Sequence, residues 1–400
     1  MGMKENKEEI IEIPRTIYGV SASLSFSNQI TRRFYPLFAA SINTPVSVMG
    51  LLRSMENLSS SILQLFWGNL ADKFGKKLFL FIGLLGGGFC TGLLMKVSNP
   101  YQLVLLILFW SLLFSMTGPS WTGLLGDYTI KETRGKVLGK IGTVGELSGL
   151  ASMLIIAILT YEAWSSYSLP FLLSASLSFL GALLVLSIKE KKGQIGFNLN
   201  DIFLVLKDRS FRKFLVLSLI FWFSMGFAWP LFPYITVKVV SATLWQIALI
   251  NAGMRAMTSA TQGLFGRLLD KFGRKPFMVI GCSGLCLFPL GYAMARSWID
   301  LFVVNVLLGP FLSAVFVAWP AFILDSAPEG RKATYSGANS FTFGFGSFIG
   351  SLVGGYFVNL LSSLIQFNRA LSLGLILSAV IRLLSGLSFL VVSETGPRKS

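Results

Sequence analysis

Histidine is absent from the 400 residues, and charge is scarce, Asp, Glu, Lys and Arg together making 13% where a soluble domain carries about 25%. Without histidine the usual metal ligand and the usual proton shuttle near neutrality are both missing. Any proton coupling must therefore run through carboxylates, and neither a metal nor a cofactor is expected. Cysteine is limited to Cys90, Cys282 and Cys286, each inside an apolar stretch and none in a Cys-x-x-Cys pair, which reads as reduced packing residues. Gly86-Gly87-Gly88 lies within an apolar run and is not followed by Gly-Lys-Ser/Thr, so ATP-driven chemistry has no phosphate loop. An intramembrane enzyme would need a nucleophile with a base, or a set of metal ligands, and few acids are available to supply either.

Apolar residues, by contrast, make 53% of the chain, and the mean hydropathy is +0.68. Twelve stretches of bilayer-crossing length, about 20 residues each, can be marked: 17–41, 47–67, 78–97, 101–125, 136–160, 167–188, 214–237, 244–265, 277–295, 299–324, 334–359 and 370–393. We number them spans 1 to 12. The expected fold is all-α and integral to the membrane. An even count puts both termini on one side. Of the 34 Lys and Arg, 25 lie in or beside the loops and tails on the N-terminal side, and four (Lys96, Lys238, Arg296, Arg369) lie on the other. Such asymmetry predicts a multi-pass plasma-membrane protein with both termini cytoplasmic. The net charge of +16 is thereby explained without nucleic acid, whose binders gather their basic residues on a folded domain. A monomer in the lipid bilayer is expected, with a cytoplasmic tail at 1–16, six-helix bundles at 17–188 and 214–393, a basic cytoplasmic linker at 189–213, and a second tail at 394–400.

The two bundles share a sequence pattern. Gly68-Asn-Leu-Ala-Asp72-Lys-Phe-Gly75-Lys-Lys returns 198 residues later as Gly266-Arg-Leu-Leu-Asp270-Lys-Phe-Gly273-Arg-Lys, and the same offset pairs Phe34 with Phe232, Gln64 with Gln262, Trp121 with Trp319 and Asp127 with Asp325. Gly68 and Gly266 are expected where a helix ends against a neighbouring backbone, and Gly75 and Gly273 in turns that need positive φ. Asp72 and Asp270 suit the positive N-terminal end of a nearby helix, an exposed interaction of about 0.3–1 kcal/mol.

With both Gly-x-Leu-x-Asp-x-x-Gly-(Lys or Arg)-Lys loops in place, and with Asp127 to Arg134-Gly135 and Asp325 to Arg331-Lys332 after spans 4 and 10, the chain resembles the major facilitator superfamily of secondary transporters. That resemblance implies two pseudo-twofold-related six-helix bundles that carry a small molecule by alternating access, a scheme the repeat pattern itself favours. It also implies a conformational latch at Gly68, Asp72, Gly75, Asp127, Arg134, Gly266, Asp270, Gly273 and Asp325, closed when the carrier faces outward. Members that export drugs in exchange for protons often carry an arginine in span 4 and a Gly-Pro-x-x-Gly-Gly element in span 5. This chain has neither, which weakens drug efflux by proton antiport as the alternative function.

Charges well inside the spans, away from their ends, are the best candidates for substrate binding or coupling, because an isolated charge at mid-bilayer costs at least about 2.5–3.5 kcal/mol. They are Arg32 and Arg33 in span 1, Arg53 and Glu56 in span 2, Glu146 in span 5, Arg255 in span 8 and Arg382 in span 12. Arg53 and Glu56 are three apart and can pair locally. Glu146 and Arg255 fall at similar depth on spans that the resemblance sets face to face, and they are expected to pair between the halves. Adjacent Arg32 and Arg33 point about 100° apart, so one, Arg33 by preference, is expected toward substrate and the other toward Glu56 or outward. Arg382 is expected to snorkel. Trp110, Trp222 and Asn305 are further cavity candidates, and Trp121 and Trp319 suit an interfacial aromatic belt. Five cationic against two anionic groups favour an organic or inorganic anion, since guanidinium offers a planar donor fork to carboxylate or phosphate. The substrate is expected to travel with or without protons or another ion.

Overall fold

The computed structural model describes residues 14–129, 134–161, 166–190, 205, 207–328 and 331–394, and it is helical without strands among them. In that set nine helices are long and apolar enough to cross a membrane. The three predicted spans outside the nine are 1, 2 and 8, which hold Arg32, Arg33, Arg53, Glu56 and Arg255. Polar groups depress their hydropathy because these helices turn one face to the protein interior rather than to lipid.

In the first half the helices run Arg15–Ser41, Val46–Leu58 continuing through a π-helical turn at Ser59–Leu63 into Gln64–Phe74, Lys76–Leu93, Pro100–Phe114 with Thr117–Asp127, Arg134–Leu159 and Ser168–Leu186. The second half repeats the plan with Arg209–Ala228 and the short pieces Phe232–Tyr234 and Ile235–Val239, then Leu244–Phe272, Lys275–Gly284 with Leu287–Met294, Trp298–Ser326, Lys332–Ser362 and Phe367–Ser388. Starts are capped in the expected way: Asn99 accepts from the Gln102 N–H, and Thr243 with Gln246 and Ser297 with Asp300 form capping boxes that satisfy otherwise orphaned donors.

Breaks have covalent causes. Pro289 has no N–H for the Leu285 carbonyl, and the helix of span 9 is interrupted there. Arg382 repairs that loss. Only 1% exposed, its guanidinium donates to the carbonyl oxygens of Leu285 at 3.1 Å, Met225 at 3.3 Å and Ser224 at 3.4 Å. It therefore does not snorkel, as the sequence suggested; it ties span 12 to spans 7 and 9 inside the bundle.

Within the first half, span 1 packs on spans 5 and 6 and span 3 on span 6; in the second, span 7 packs on spans 11 and 12 and span 8 on span 10. Across the halves, span 2 meets span 11 and span 5 meets span 8. One hydrophobic core belongs to each half, and a third, including Leu37, Ala40, Val46, Tyr234, Leu244 and Ile247, joins them at one end of the molecule. At that end Tyr234 donates its hydroxyl to the Thr44 carbonyl and Lys238 donates to Asn43. Asn43 and Ser241, again 198 apart, both adopt left-handed backbone, φ 60° and 54°. The opposite end, which carries the repeated glycine-aspartate hairpins, is open: a Cβ added at Gly126, Gly139, Gly142, Gly263 or Gly266 would meet no atom within 4 Å.

Glycine patterns on spans 5 and 11 looked alike in sequence, both promising close helix approach. Only span 11 uses them so throughout. Gly346, Gly350 and Gly354 lie against the backbone of span 7, whereas Gly139 and Gly142 border open space.

Candidate functional site

Span 1 carries Ser25, Gln29 and Arg33 four residues apart, hence on one helical face. The earlier part of that face, at Ser21 and Ser25, meets a cavity of about 510 Å3 also bounded by Trp121, Gly142, Gly145 and Glu146 of spans 4 and 5. Trp121 thus lines this cavity. Trp319, its repeat mate, is buried among Phe214, Phe221 and Trp222 and donates its indole N–H to Asn339 at 2.9 Å.

Deeper along span 1 the two arginines diverge as their 100° offset requires. Arg32 turns to Glu56, 3.4 Å away, and lies 5.8 Å above the Trp110 ring. Glu56, 3% exposed, also accepts from Arg53 at 2.9 Å and from the Tyr35 hydroxyl, while the Arg53 guanidinium sits 5.2 Å over Tyr35. The local Arg53–Glu56 pair is therefore present, enlarged by Arg32 and Tyr35. Losing Glu56 would strand two guanidinium groups, and breaking a buried pair costs about 3–5 kcal/mol. Arg33 faces outward from this cluster, exposed, with Arg53, Arg255 and Tyr292 within electrostatic reach. No carboxylate pairs with it among the described residues.

Glu146 of span 5 accepts a hydrogen bond from Arg255 of span 8, so the predicted pair between the halves forms. Gly149 leaves room for it, since a Cβ there would come within 3.1 Å of the Arg255 guanidinium. Glu146 is 58% exposed against 15% for Arg255; the carboxylate is the partner that reaches the cavity.

Three other candidates sit differently from expectation. Trp110 is fully buried, stacked on Phe114 at 5.1 Å, and backs Arg32 instead of lining open space. Asn305 is likewise buried, its amide donating to the Tyr292 hydroxyl at 2.9 Å and the Leu301 carbonyl at 2.8 Å. Trp222 packs on Trp319 and Phe343, and its buried indole N–H has no partner among the described residues.

At the hairpins, Gly75 and Gly273 have φ 113° and 91°, as a turn closed to side-chained residues demands. Gly68 and Gly266 do not end helices: spans 2 and 8 continue to Phe74 and Phe272. The backbone approach expected there is also missing, the first atom facing Gly68 being Pro119 Cβ at 3.6 Å. Asp72 and Asp270 make local ion pairs to Lys76 and Arg274, at 3.9 and 3.4 Å. The same two cations hold Asp127 and Asp325, each at 2.8 Å, so one aspartate-cation-aspartate set recurs in both halves. The side chain of Arg134 lies outside the described residues. A sequence model of the Major Facilitator Superfamily matches residues 17–199 and 214–400.

The chain belongs to that superfamily. It is a multi-pass membrane transporter. Among its relatives, the multi-drug resistance efflux pump PmrA of Streptococcus pneumoniae is 25% identical over 334 residues, 80% of this chain and 83% of the pump. Multidrug resistance protein MdtG of Escherichia coli is 25% identical over 306 residues, 72% of each chain. An uncharacterized MFS-type transporter of Methanocaldococcus jannaschii, MJ1317, is 26% identical over 379 residues, 88% of this chain and 91% of its own. In fold, the crystal structure of the nucleoside transporter NupG superposes with TM-score 0.76 at 15% identity, covering 96% of this chain and 99% of its own.

Two carboxylates of this superfamily member were missed by sequence reasoning. Glu190, after span 6, accepts from the Lys76 N–H, and Glu394, after span 12, accepts from Arg274 N–H at 2.8 Å and Lys275 N–H at 3.1 Å. Both therefore cap the start of the third helix of their half, where free N–H groups favour an anion. Their spacing of 204 rather than 198 hid them from a fixed-offset comparison. Lys76 and Arg274 do share the offset and could have been found by it.

Proposed function

We propose that this superfamily member is a secondary active transporter carrying an organic or inorganic anion by alternating access, at the plasma membrane and with both termini cytoplasmic. The observation that carries the reading is Arg33, exposed and without a carboxylate partner among the described residues, while Arg32 and Arg53 are occupied by Glu56 and Arg255 by Glu146. Four guanidinium groups against two carboxylates leave the centre positive, and a mobile anion relieves the cost of that charge in a low-dielectric medium. In the predicted orientation this conformation opens to the cytoplasm. The hairpin aspartates then serve as a latch that has been released, and the Glu146–Arg255 pair as a contact remade in each cycle.

Counterflow in proteoliposomes, with organic anions, sugars and cationic dyes offered separately, tests the substrate class. Saturable anion uptake that falls at least tenfold in Arg33→Gln is expected; saturable dye uptake with no anion uptake overturns the reading. A second reading, export of drug-like compounds in exchange for protons, draws on the names of PmrA and MdtG and on Glu146 and Trp121 lining the same cavity. In that case a pH jump would drive flux in the wild type and not in Glu146→Gln.

A further inference from the structure

Trp121 and Trp319 are repeat mates in different surroundings. Trp319 is covered by Phe214, Phe221 and Trp222, at ring-centroid distances of 5.4, 5.4 and 5.3 Å, and its N–H is spent on Asn339. At the 198-residue offset those three aromatic residues of span 7 become Thr16, Ser23 and Leu24 in the first half. Trp121 therefore has no ring packed on it and no acceptor for its N–H among the described residues, and it borders the cavity of about 510 Å3 instead. Small-molecule sites run from about 300 to 1,000 Å3. What the second half fills with aromatic side chains the first half leaves hollow.

Two polar side chains of the lining keep hydrogen-bonding capacity. Gly145 brings span 1 close, since a Cβ there would stand 2.8 Å from the Ser25 hydroxyl oxygen. That hydroxyl has no partner among the described residues, whereas the Ser21 hydroxyl is spent on the Ile141 carbonyl at 3.1 Å. Glu146, 58% exposed, accepts from Arg255 through one oxygen, and a carboxylate offers about four acceptor positions. Arg255 already offsets the charge of Glu146, so the pair as a whole gives a cation no net attraction. What remains is an acceptor for a neutral N–H or O–H, beside an uncovered indole.

We infer that this cavity is a binding site for an uncharged aromatic ring carrying an N–H or O–H donor, its face on Trp121, its donor on Glu146, and Ser25 as the second hydrogen-bonding partner. The inference does not rest on the anion reading: the lining belongs to the first half alone and contains no arginine. Aromatic pairs prefer offset-stacked or edge-to-face packing and contribute beyond the area they bury, which the isolated Trp121 ring does not obtain from the protein.

The test is calorimetry on the full-length protein in lipid nanodiscs, with empty nanodiscs as the correction for partition into lipid. The probes are indole, 1-methylindole, which lacks the N–H, and benzylamine, a protonated amine. Indole is expected to bind beyond the empty-disc level, and 1-methylindole at least about tenfold more weakly, as loss of one hydrogen bond to a charged acceptor predicts. Trp121→Leu should weaken indole about two- to tenfold. Gly142→Leu is the decisive variant. Gly142 lines the cavity and a Cβ there meets no atom within 4 Å, so leucine fills the space without pressing on backbone and is also the better helix former. Its melting temperature should equal or exceed that of the wild type while indole binding falls to the empty-disc level. Equal indole affinity in the wild type and Gly142→Leu, or no binding to the wild type beyond empty discs, overturns the site. Equal affinity for indole and 1-methylindole overturns the donor on Glu146, and benzylamine bound more tightly than indole overturns the choice of an uncharged ring. None of these outcomes bears on anion counterflow or its loss in Arg33→Gln.

Discussion

The halves meet along two seams built from opposite materials. Where span 2 crosses span 11, side chains are nearly eliminated: a Cβ at Gly50 would lie 2.6 Å from the Ser351 carbonyl oxygen and 2.9 Å from Gly355 Cα, and Ser54 donates to the Phe348 carbonyl at 2.7 Å. Small residues let the backbones touch, and nothing in the contact titrates or dissociates in response to a ligand. Where span 5 crosses span 8, the contacts are the Glu146–Arg255 pair and, nearer the closed end, the Tyr161 ring edge-on to Trp245 at 5.2 Å. Charge and aromatic contacts of this kind can be exchanged for others. The contrast assigns the seams different parts in the proposed cycle, with spans 2 and 11 as a pivot that stays packed and spans 5 and 8 as the side that opens and closes.

The largest effect is expected from filling the first seam. Gly50→Leu sets four carbons against backbone that cannot give way, an overpacking of about 1–3 kcal/mol or more. Little folded protein should be recovered by size-exclusion chromatography. Gly139→Ala, on span 5 beside open space, should leave the melting temperature level or slightly raised, because alanine is the better helix former by about 1 kcal/mol. Equal damage from both would erase the distinction between the seams.

Next comes the ion pair. Glu146→Gln or Arg255→Gln should each lower transport at least tenfold with little loss of folded protein, and exchanging the two residues should recover part of it. No recovery in the exchanged protein would mean that the two act separately. A smaller effect is expected from Tyr161→Ala: removing one aromatic contact, worth about 0.5–1.5 kcal/mol, should move the carrier roughly two- to tenfold toward opening at the now sealed end. Spin-label distances across that end report the shift.

The smallest effect concerns pH at the hairpin that follows span 2. Burial lifts the Asp72 carboxyl above its ordinary value, with Lys76 opposing and Asp127 adding to the rise. Protonated Asp72 is thereby favoured in this conformation over one in which it faces a helix N-terminus, where the ionised form is stabilised. Acidification through the carboxylate range should therefore increase the fraction open at the hairpin end, and return to neutrality should reverse it. Asp72→Asn should flatten the dependence in the same spin-label measurement.

Much of this was legible in the chain. The twelve helices follow from apolar length, the two halves from a constant offset, and the glycines at 75 and 273 from a turn that excludes a Cβ. Pairing of Glu146 with Arg255 could also be read, because charges at matched depth in a low-dielectric layer have few alternatives to each other. What spacing could not supply was direction around the helix axis. Trp110, Asn305 and Arg382 lie within the predicted spans but face differently from expectation, since a helix buried on several sides shows no clean polar stripe. Span 5 misled for a related reason: a row of glycines permits close approach but does not require it.

By itself, then, the order of residues determined how many times the chain crosses the membrane, its duplication, and which few charges lie inside. Those properties depend on transfer free energies and backbone sterics, which act locally along the chain. Tertiary structure alone decided which of those charges are neutralised and which is left over. Glu56 gathers Arg32, Arg53 and Tyr35 from two helices, and Arg33, one residue along, is turned away from it. Neutralisation depends on distances of a few ångströms between separate helices, and those distances exist only after the helices have packed.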